Sequence, residues 1–336
     1  MAKGDHDSPS GRGARCSFIH SHRFNIVAGI GALLSLVTVV LVCLQATGDL
    51  GSRNNSEPPF LLVADLGTEN ETGAILQVDI TSGSKVTLPL EVVMPTALDY
   101  DPLTDYVYWS GRNNYIQRAR RDGSGMETII DAKGYHRSYT PVYGLALDHA
   151  GGNIYWSVYM TETISVAKKD GSSARTLLSS PAANMPYDLV LDPRNALMYW
   201  VDFAEARIER AAMDGSNQTT IITNLTYPRA IAIDFNEDRL YYSDYGYEIY
   251  SSDLLGNDIR QVMQDGEKWV NGIAVDEDFV YWSSVWPHSP SSPHLGKIGK
   301  LSKCDLTKTV LVDGLWTPDG IYLSTAAPPG VTNGRP

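Results

Sequence analysis

The chain of 336 residues is acidic, with a formal net charge of −12, and 20% of its residues are charged. Four of its 27 Lys and Arg and two of its 39 Asp and Glu precede residue 47, so the remainder carries −14. A charge of that sign disfavours nucleic acid and heparin-like polyanions as partners and is compatible with basic ligands. The three cysteines, Cys16, Cys43 and Cys304, are too few for a disulfide scaffold.

Residues 26–44 carry no charged side chain, and about 20 apolar residues are enough for a helix to cross the hydrocarbon core of a membrane. Four Lys and Arg residues precede this segment, whereas Asp49, Arg53 and Glu57 follow it. The positive-inside rule therefore predicts a cytosolic tail over 1–25, a transmembrane signal anchor over 26–44, and an extracellular or lumenal remainder. This is the topology of a single-pass type II membrane protein.

The residues after the anchor predict a short polar stalk over 45–59. The small residues at 46–48 offer a signal-peptidase site as the alternative, and cleavage there would give a secreted protein. The apolar stretch of a signal peptide is normally only about 7–15 residues, which is shorter than this one. The signal anchor is therefore the preferred interpretation.

Glycosylation is predicted on the lumenal side of the anchor. An Asn-x-Ser/Thr triplet is the acceptor signal for an N-linked glycan, and such an acceptor lies on a surface loop. All four triplets follow the anchor, at Asn54, Asn70, Asn217 and Asn224. Their positions agree with the predicted topology.

Two kinds of strand alternate six times between residues 60 and 325. One is an aromatic strand that ends in a small polar residue, with copies at 108–111, 155–158, 199–202, 241–244 and 281–284 and a degenerate copy at 62–65. The other is an apolar strand, typically opened by Pro and closed by Asp, with copies at 95–101, 142–148, 186–192, 228–234, 270–276 and 318–324. The aromatic copies recur at about 40–47 residues, which is the period of a propeller blade.

Each repeat continues with two more strands joined by a tight turn, as at Asp122-Gly123, where glycine accepts the positive φ that the turn demands. Four antiparallel strands per repeat and six repeats predict an all-β fold, a six-bladed β-propeller over 60–325 with a flexible tail over 326–336. The repeat region begins on a second strand and ends on a first strand. We therefore expect the N- and C-terminal strands to pair in one composite blade, which closes the ring and removes its open edges.

The Tyr-Trp-(Ser/Val)-(Asp/Gly) strands, the Pro-Arg-Ala-Ile-Ala-Ile-Asp segment at 228–234 and the Asp-Gly-Ser turns resemble the YWTD propeller, the class B repeat of low-density lipoprotein receptors and nidogen. The chain differs from that family because no cysteine-rich EGF-like module flanks the repeats. The resemblance implies a receptor-like, non-catalytic ligand-binding or adhesion module. Its channel-mouth face would bind an extracellular protein or peptide, and Arg229 and Asn271 match the family pattern best.

The inner strand of each blade lines the central channel of a propeller, so the residues where these strands begin form a ring around one mouth. The predicted ring comprises Thr96, Tyr143, Tyr187, Arg229, Asn271 and Asp319. Flanking positions on the same face are Trp269, Trp316, Arg112, Glu205, Tyr245 and Trp286, with Tyr227 nearby. Aromatic and arginine side chains gathered at one mouth are typical of interaction hot spots.

Other repeated residues are predicted to be structural, because their identity hardly changes from blade to blade. The tryptophans of the aromatic strands are expected in the core between blades; they are Trp109, Trp156, Trp200 and Trp282. Asp202 and Asp244, at the fourth position of the motif, are expected to form hydrogen bonds within the sheet.

A calcium-dependent hydrolase or lactonase of the six-bladed type is the alternative function. Such a site needs about 6–8 oxygen ligands around a central cation, and Asn271, Asp319 and Asp188 are the candidates here. Arg229 among them opposes a cation, so the sequence favours no catalytic residues, no metal and no cofactor. Cys304 aligns with a hairpin turn, where it could form a disulfide with another chain.

Overall fold

The computed structural model describes residues 57–67, 73–132, 141–244, 247–264, 266, 268–286 and 296–325. The predicted cytosolic tail, the anchor, most of the stalk and the C-terminal tail lie outside these residues. Within the described part there are 24 strands in six four-stranded sheets, and no helix there is long and apolar enough to span a membrane. The predicted six-bladed β-propeller is confirmed.

The strands follow the chain in the order in which the sequence predicts them. They are β1 (Phe60–Asp65), β2 (Ala74–Asp79), β3 (Lys85–Thr87), β4 (Pro95–Asp101), β5 (Tyr106–Gly111), β6 (Tyr115–Arg120), β7 (Glu127–Asp131), β8 (Val142–Asp148), β9 (Asn153–Val158), β10 (Thr163–Lys168), β11 (Arg175–Ser179), β12 (Pro186–Asp192), β13 (Leu197–Asp202), β14 (Arg207–Ala212), β15 (Thr219–Ile222), β16 (Ile231–Asp234), β17 (Arg239–Asp244), β18 (Glu248–Asp253), β19 (Arg260–Gln264), β20 (Trp269–Val275), β21 (Phe279–Val285), β22 (Gly296–Ser302), β23 (Lys308–Leu315) and β24 (Pro318–Ser324). Blades 1 to 5 each take four consecutive strands, beginning at β4, and blade 6 consists of β24, β1, β2 and β3.

Blade 6 closes the ring as predicted. Its inner strand β24 pairs antiparallel with β1, with Phe60 opposite Ser324 and Val63 opposite Ile321. The inner strands β24, β4, β8, β12, β16 and β20 each contact the next around the channel, and β20 contacts β24 again. The two ends of the repeat region are therefore held in one sheet, and no blade edge is left open toward the channel.

The Tyr-Trp pair of the second strand ties each blade to both of its neighbours. Successive side chains of a strand point to opposite faces of the sheet. In blade 3, Trp200 accordingly packs with Tyr155 of blade 2, whereas Tyr199 packs with Ile231 and Tyr242 of blade 4. The predicted core role of the four tryptophans is confirmed, since all of them are buried.

The aspartate at the fourth position of the motif fixes the loop that leads into the inner strand. Asp244 Oδ1 accepts a hydrogen bond from the backbone N–H of Thr226 at 2.7 Å, and Asp202 Oδ2 accepts one from the backbone N–H of Asn184 at 3.3 Å. Both residues accept hydrogen bonds from loop backbone, and Asp202 also forms the predicted bond within the sheet, from Arg207 Nη2 of β14 at 3.2 Å. The motif therefore sets the position of the channel mouth.

Two inner strands differ in their bounds from the prediction. β16 begins at Ile231 instead of residue 228, because the N–H groups of Arg229 and Ala230 donate to Ser243 Oγ rather than to the strand ladder. β20 begins one residue earlier than predicted, at Trp269. The consequence is that Arg229 lies just outside the regular sheet at the mouth of the channel.

Replacing Trp200 by alanine is expected to lower the free energy of unfolding by about 3–5 kcal/mol, since a fully buried ring leaves a cavity between blades. Denaturant unfolding of the two proteins measures the difference. The matched control is Trp286→Ala, because Trp286 is 37% exposed and its loss should cost much less. Equal losses for the two variants would contradict the proposed role of the pair.

Candidate functional site

The ring residues lie at irregularities of the inner strands. In β4, β8 and β20 the pairing register shifts across Thr96, Tyr143 and Asn271. In β12 and β24 the shift spans Tyr187 and Asp319, each together with the next residue. A bulge removes a residue from the ladder and re-aims its side chain. The fold thus releases these five positions from sheet pairing at the mouth of the channel.

Five aromatic side chains from blades 2 and 3 and the loop into blade 4 form one continuous surface, which we call the aromatic patch. It comprises Tyr143, Tyr159, Tyr187, Phe203 and Tyr227. Tyr143 and Tyr187 stack with their ring centroids 4.1 Å apart, and Tyr159 packs edge-on against both. Phe203 joins this group to Tyr227, which is 58% exposed. The rings of the patch already pack against one another without a ligand, so a ligand would bind to an ordered surface.

Arg229 extends the patch toward blade 5. Its guanidinium lies 4.1 Å from the ring centroid of Trp269 and 5.7 Å from that of Tyr187, which are cation–π distances. Its Nη1 donates to Asn271 Oδ1 at 3.0 Å. Its Nε is buried and makes no hydrogen bond to the described residues. Arg229 is therefore held in place by Trp269, Tyr187 and Asn271.

The remaining predicted positions have diverse settings. Thr96 is buried and its hydroxyl donates to the carbonyl of Val142 at 2.7 Å. Glu205 is exposed and accepts from Asn184 Nδ2 at 2.9 Å. Arg112 and Trp286 are exposed and Trp316 is half-buried. Tyr245 lies outside the described residues.

Tyr159 and Phe203 belong to the patch but were not predicted. Each directly follows the four-residue aromatic motif of its blade, at 155–158 and at 199–202. Arg112 and Tyr245, which were predicted, occupy the same position of the repeat in blades 1 and 4. The position directly after the motif is therefore the sequence signal that identifies both residues.

The channel below the ring encloses a cavity of about 270 Å³, and the Asp99, Asp188 and Asp319 carboxyls line it. Burial raises the pKa of Asp99 to about 6, that of Asp188 to about 8 and that of Asp319 to about 7. The charge of Asp319 adds to the rise at Asp188. These carboxyls titrate near neutral pH because an apolar channel disfavours their charged forms.

The oxygen set that the calcium alternative needs is not assembled around Asn271. Its Oδ1 accepts from Arg229, and its Nδ2 is 3.4 Å from the carbonyl of Pro318, to which it donates. In the part of the chain that the structure describes, no three Asp, Glu, His or Cys residues are placed to share a metal ion.

Two of the four predicted glycosylation sites can be located. Asn217 and Asn224 are exposed, whereas Asn54 and Asn70 lie outside the described residues. Cys304 is exposed at the turn between β22 and β23. Cys304 is disulfide-bonded, and a bond to a second chain stays a prediction.

The family model for the low-density lipoprotein receptor repeat class B matches residues 196–235, which span the second to fourth strands of blade 3 and the start of blade 4. The chain contains a class B repeat within a six-bladed β-propeller. Human low-density lipoprotein receptor-related protein 5 is 30% identical over 135 residues, which are 39% of this chain and 8% of that protein. The mouse protein is 31% identical over 134 residues, again 39% and 8% of the two chains.

Among solved structures, a chain in a crystal structure of a nidogen/laminin complex matches with a TM-score of 0.67. The match covers 80% of this chain and 99% of the other at 21% identity, so it shows a shared fold. The described strands and the class B repeat therefore agree on the architecture, while the curated relatives are many times longer than the segment they share with this chain.

Stability should fall as the pH rises through the range in which the channel carboxyls titrate. The folded state keeps the Asp319 proton up to a pKa of about 7, whereas an unfolded aspartate releases it near about 4, so rising pH favours unfolding. Asp319→Asn should remove part of this dependence and stabilise the protein at pH 8.5 by on the order of 1–3 kcal/mol.

Thermal melting at pH 5.5 and pH 8.5 measures the effect. Asp313→Asn is the matched control, because Asp313 is exposed on the outer strand β23. If wild type and Asp319→Asn show the same pH dependence, the Asp319 carboxyl does not titrate in this range.

Proposed function

We propose that the chain is a membrane-tethered, extracellular, non-catalytic module that binds a protein or peptide at the mouth of its propeller channel. The aromatic patch with Arg229 is the observation that carries this proposal. It brings together side chains of three blades, and these positions vary in chemistry from blade to blade while the packing positions stay uniform. Specific binding requires residues that vary in chemistry while the fold that holds them stays the same.

The composition of the patch favours a protein ligand. Tyr, Trp and Arg supply most of the binding energy in protein interfaces, and ordered aromatic rings lose little conformational entropy on binding. Tyr227, Phe203 and Tyr187 form a graded series from exposed to buried, which is the profile of an anchoring pocket with an accessible rim. The net charge of −14 after residue 46 favours a basic ligand.

The relatives support the same class of function. The solved neighbour is described as part of a nidogen/laminin complex, which is an assembly of proteins. The curated relatives are receptor-related proteins. A non-catalytic receptor-like role for this chain is consistent with both.

We further propose a type II membrane topology with the anchor at 26–44, and glycans on the exposed Asn217 and Asn224. Asn224 precedes Tyr227 by three residues in the loop that enters β16. A glycan there would border the aromatic patch and restrict the approach of a ligand from the side of that loop.

Replacing Tyr227 by alanine should weaken ligand capture at least tenfold, which is about 1.4 kcal/mol, and leave the melting temperature nearly unchanged because the ring is largely exposed. The measurement is surface plasmon resonance of the full chain against a panel of recombinant extracellular proteins. Arg229→Ala should weaken the same interactions.

Leu103→Ala is the control for this experiment. Leu103 is 71% exposed in the turn between β4 and β5, on the face opposite the aromatic patch. Partners that bind wild type and both variants equally would place the binding surface elsewhere.

Glycosidase treatment of the chain expressed in animal cells tests the topology. N-glycan removal should increase the mobility of the wild type, and Asn217→Gln combined with Asn224→Gln should reduce the shift, because both acceptors are exposed and predicted to be lumenal. Ser302→Ala, which changes no acceptor triplet, serves as the control. Absence of any shift in the wild type would contradict the topology.

A further inference from the structure

The channel cavity combines apolar walls with acidic groups. All six inner strands contribute to its wall, for example through Leu145, Ile231, Ile273 and Ile321. The ionisable groups in the wall are Asp99, Asp188, Asp319, Tyr143, Tyr322 and His149. No Lys or Arg among the described residues lines it. The interior therefore offers negative charge and hydrocarbon, and the charges that act on Asp319 are those of Arg229 and Arg112.

Asp319 differs from the other two aspartates in its hydrogen bonding. The Asp188 carboxyl accepts from Leu189 N at 2.9 Å and from Ile231 N at 3.0 Å. The Asp99 carboxyl likewise accepts from two backbone N–H groups. These bonds bridge neighbouring inner strands and account for both residues as parts of the fold.

The side chain of Asp319 has no such structural partner. It is 6% exposed and lines the cavity, and burial and the charges of Arg229 and Arg112, with no hydrogen bond from a described residue, determine its ionisation. Its own backbone carbonyl, by contrast, accepts from Ser283 Oγ. Burying an unpaired carboxyl costs several kcal/mol, and such a group in a cavity wall needs an explanation other than packing. A donor brought by a ligand satisfies it.

The surroundings select the chemistry of that donor. A hard metal cation needs about 6–8 oxygen ligands, and the Asn271 oxygen nearby is already bonded to Arg229. An ammonium needs far fewer partners, because it is a compact charge with three donors. Asp319 and Asp188 line the same cavity, and the charge of each carboxylate favours a cation there. An aliphatic stem would pack on the leucine and isoleucine walls.

We propose that the channel binds a primary ammonium group on an aliphatic stem, with the unpartnered Asp319 carboxylate as its principal acceptor. Two sources can supply this group. One is a free alkyl amine or diamine, and the other is a lysine side chain of a protein held on the aromatic patch. Only the lysine source rests on the proposed function.

Binding of the ammonium should be linked to release of a proton. Burial raises the pKa of Asp319 to about 7, whereas the charges of Arg229 and Arg112 at the mouth act to lower it. Asp99 on β4, Asp188 on β12 and Asn271 on β20 are further polar groups in the wall around this carboxyl. Because an alkyl ammonium keeps its charge up to a pKa of about 10, its affinity should increase from pH 6 to pH 8 as Asp319 ionises.

Isothermal titration calorimetry of the full chain tests this with three probes: n-butylamine, 1,4-diaminobutane and Nα-acetyl-lysine methylamide. We expect saturable binding of an amine at pH 8, and at least tenfold weaker binding of 1-butanol, which has the stem without the charge. Asp319→Asn should weaken amine binding at least tenfold. Asp313→Asn, which removes an exposed charge from β23, should leave it unchanged.

The probes distinguish the two sources. Tighter binding of 1,4-diaminobutane than of the lysine derivative identifies a free amine, and the reverse order identifies a lysine side chain. Equal binding by Asp319→Asn and wild type would overturn the proposal, as would the absence of saturable binding by all three amines. Should Asp319→Asn fail to fold, wild-type affinities that do not change between pH 6 and pH 8 would overturn it as well. Failure here leaves the aromatic patch untouched, because Tyr227→Ala tests that surface separately.

Discussion

Packing of the Tyr-Trp pair on opposite faces of each second strand is the interaction on which the structure depends. Trp109 packs against Phe60 of blade 6, while Tyr108 packs against Trp156 of blade 2. The same division holds at Tyr281 and Trp282. A four-stranded sheet cannot bury both faces by itself, so each blade is stable only between two others. The motif supplies these contacts around the ring, and the pairing of β24 with β1 completes the last one.

That packing leaves the inner strands free to vary at the channel mouth. The outer three strands of each blade hold it in place, and the inner strand breaks its pairing where the ring residues occur. Blades 2 and 3 place tyrosines at this position, whereas blades 5 and 6 place Asn271 and Asp319. One scaffold therefore has an aromatic half and a polar half around the same opening. Arg229 lies between them, in cation–π contact with Tyr187 and Trp269 and hydrogen-bonded to Asn271. This division separates a surface suited to a protein from a channel suited to a small cationic group.

The fold could be predicted almost completely from the repeat, because period, turn residues and the Tyr-Trp pattern all favour the same blade. The site could be predicted only in part. Register alone identified Tyr143 and Tyr187, but the stacking of their rings depends on two bulges that a repeat pattern does not reveal. Thr96 occupies the register position of a ring residue, but it is buried and its hydroxyl donates to the carbonyl of Val142 in the next blade, so it is not available to a ligand. The direction of a side chain at a bulge depends on contacts with the neighbouring blades. A local sequence pattern does not contain those contacts, so the pattern alone does not predict the direction.

The three channel aspartates differ in whether the fold compensates for the burial of their carboxyls. Asp99 and Asp188 lie in the same apolar environment as Asp319, and each offsets its burial by bridging to the N–H of the next inner strand. These two carboxyls replace part of the lateral pairing that inner strands of separate blades lack. Asp319 makes no such bridge, so its burial opposes folding, and the contacts between the blades must offset that cost. A local feature that opposes stability inside a consistent fold is typical of functional positions. Asp319 therefore belongs with the variable ring residues, although by burial alone it would be assigned to the core.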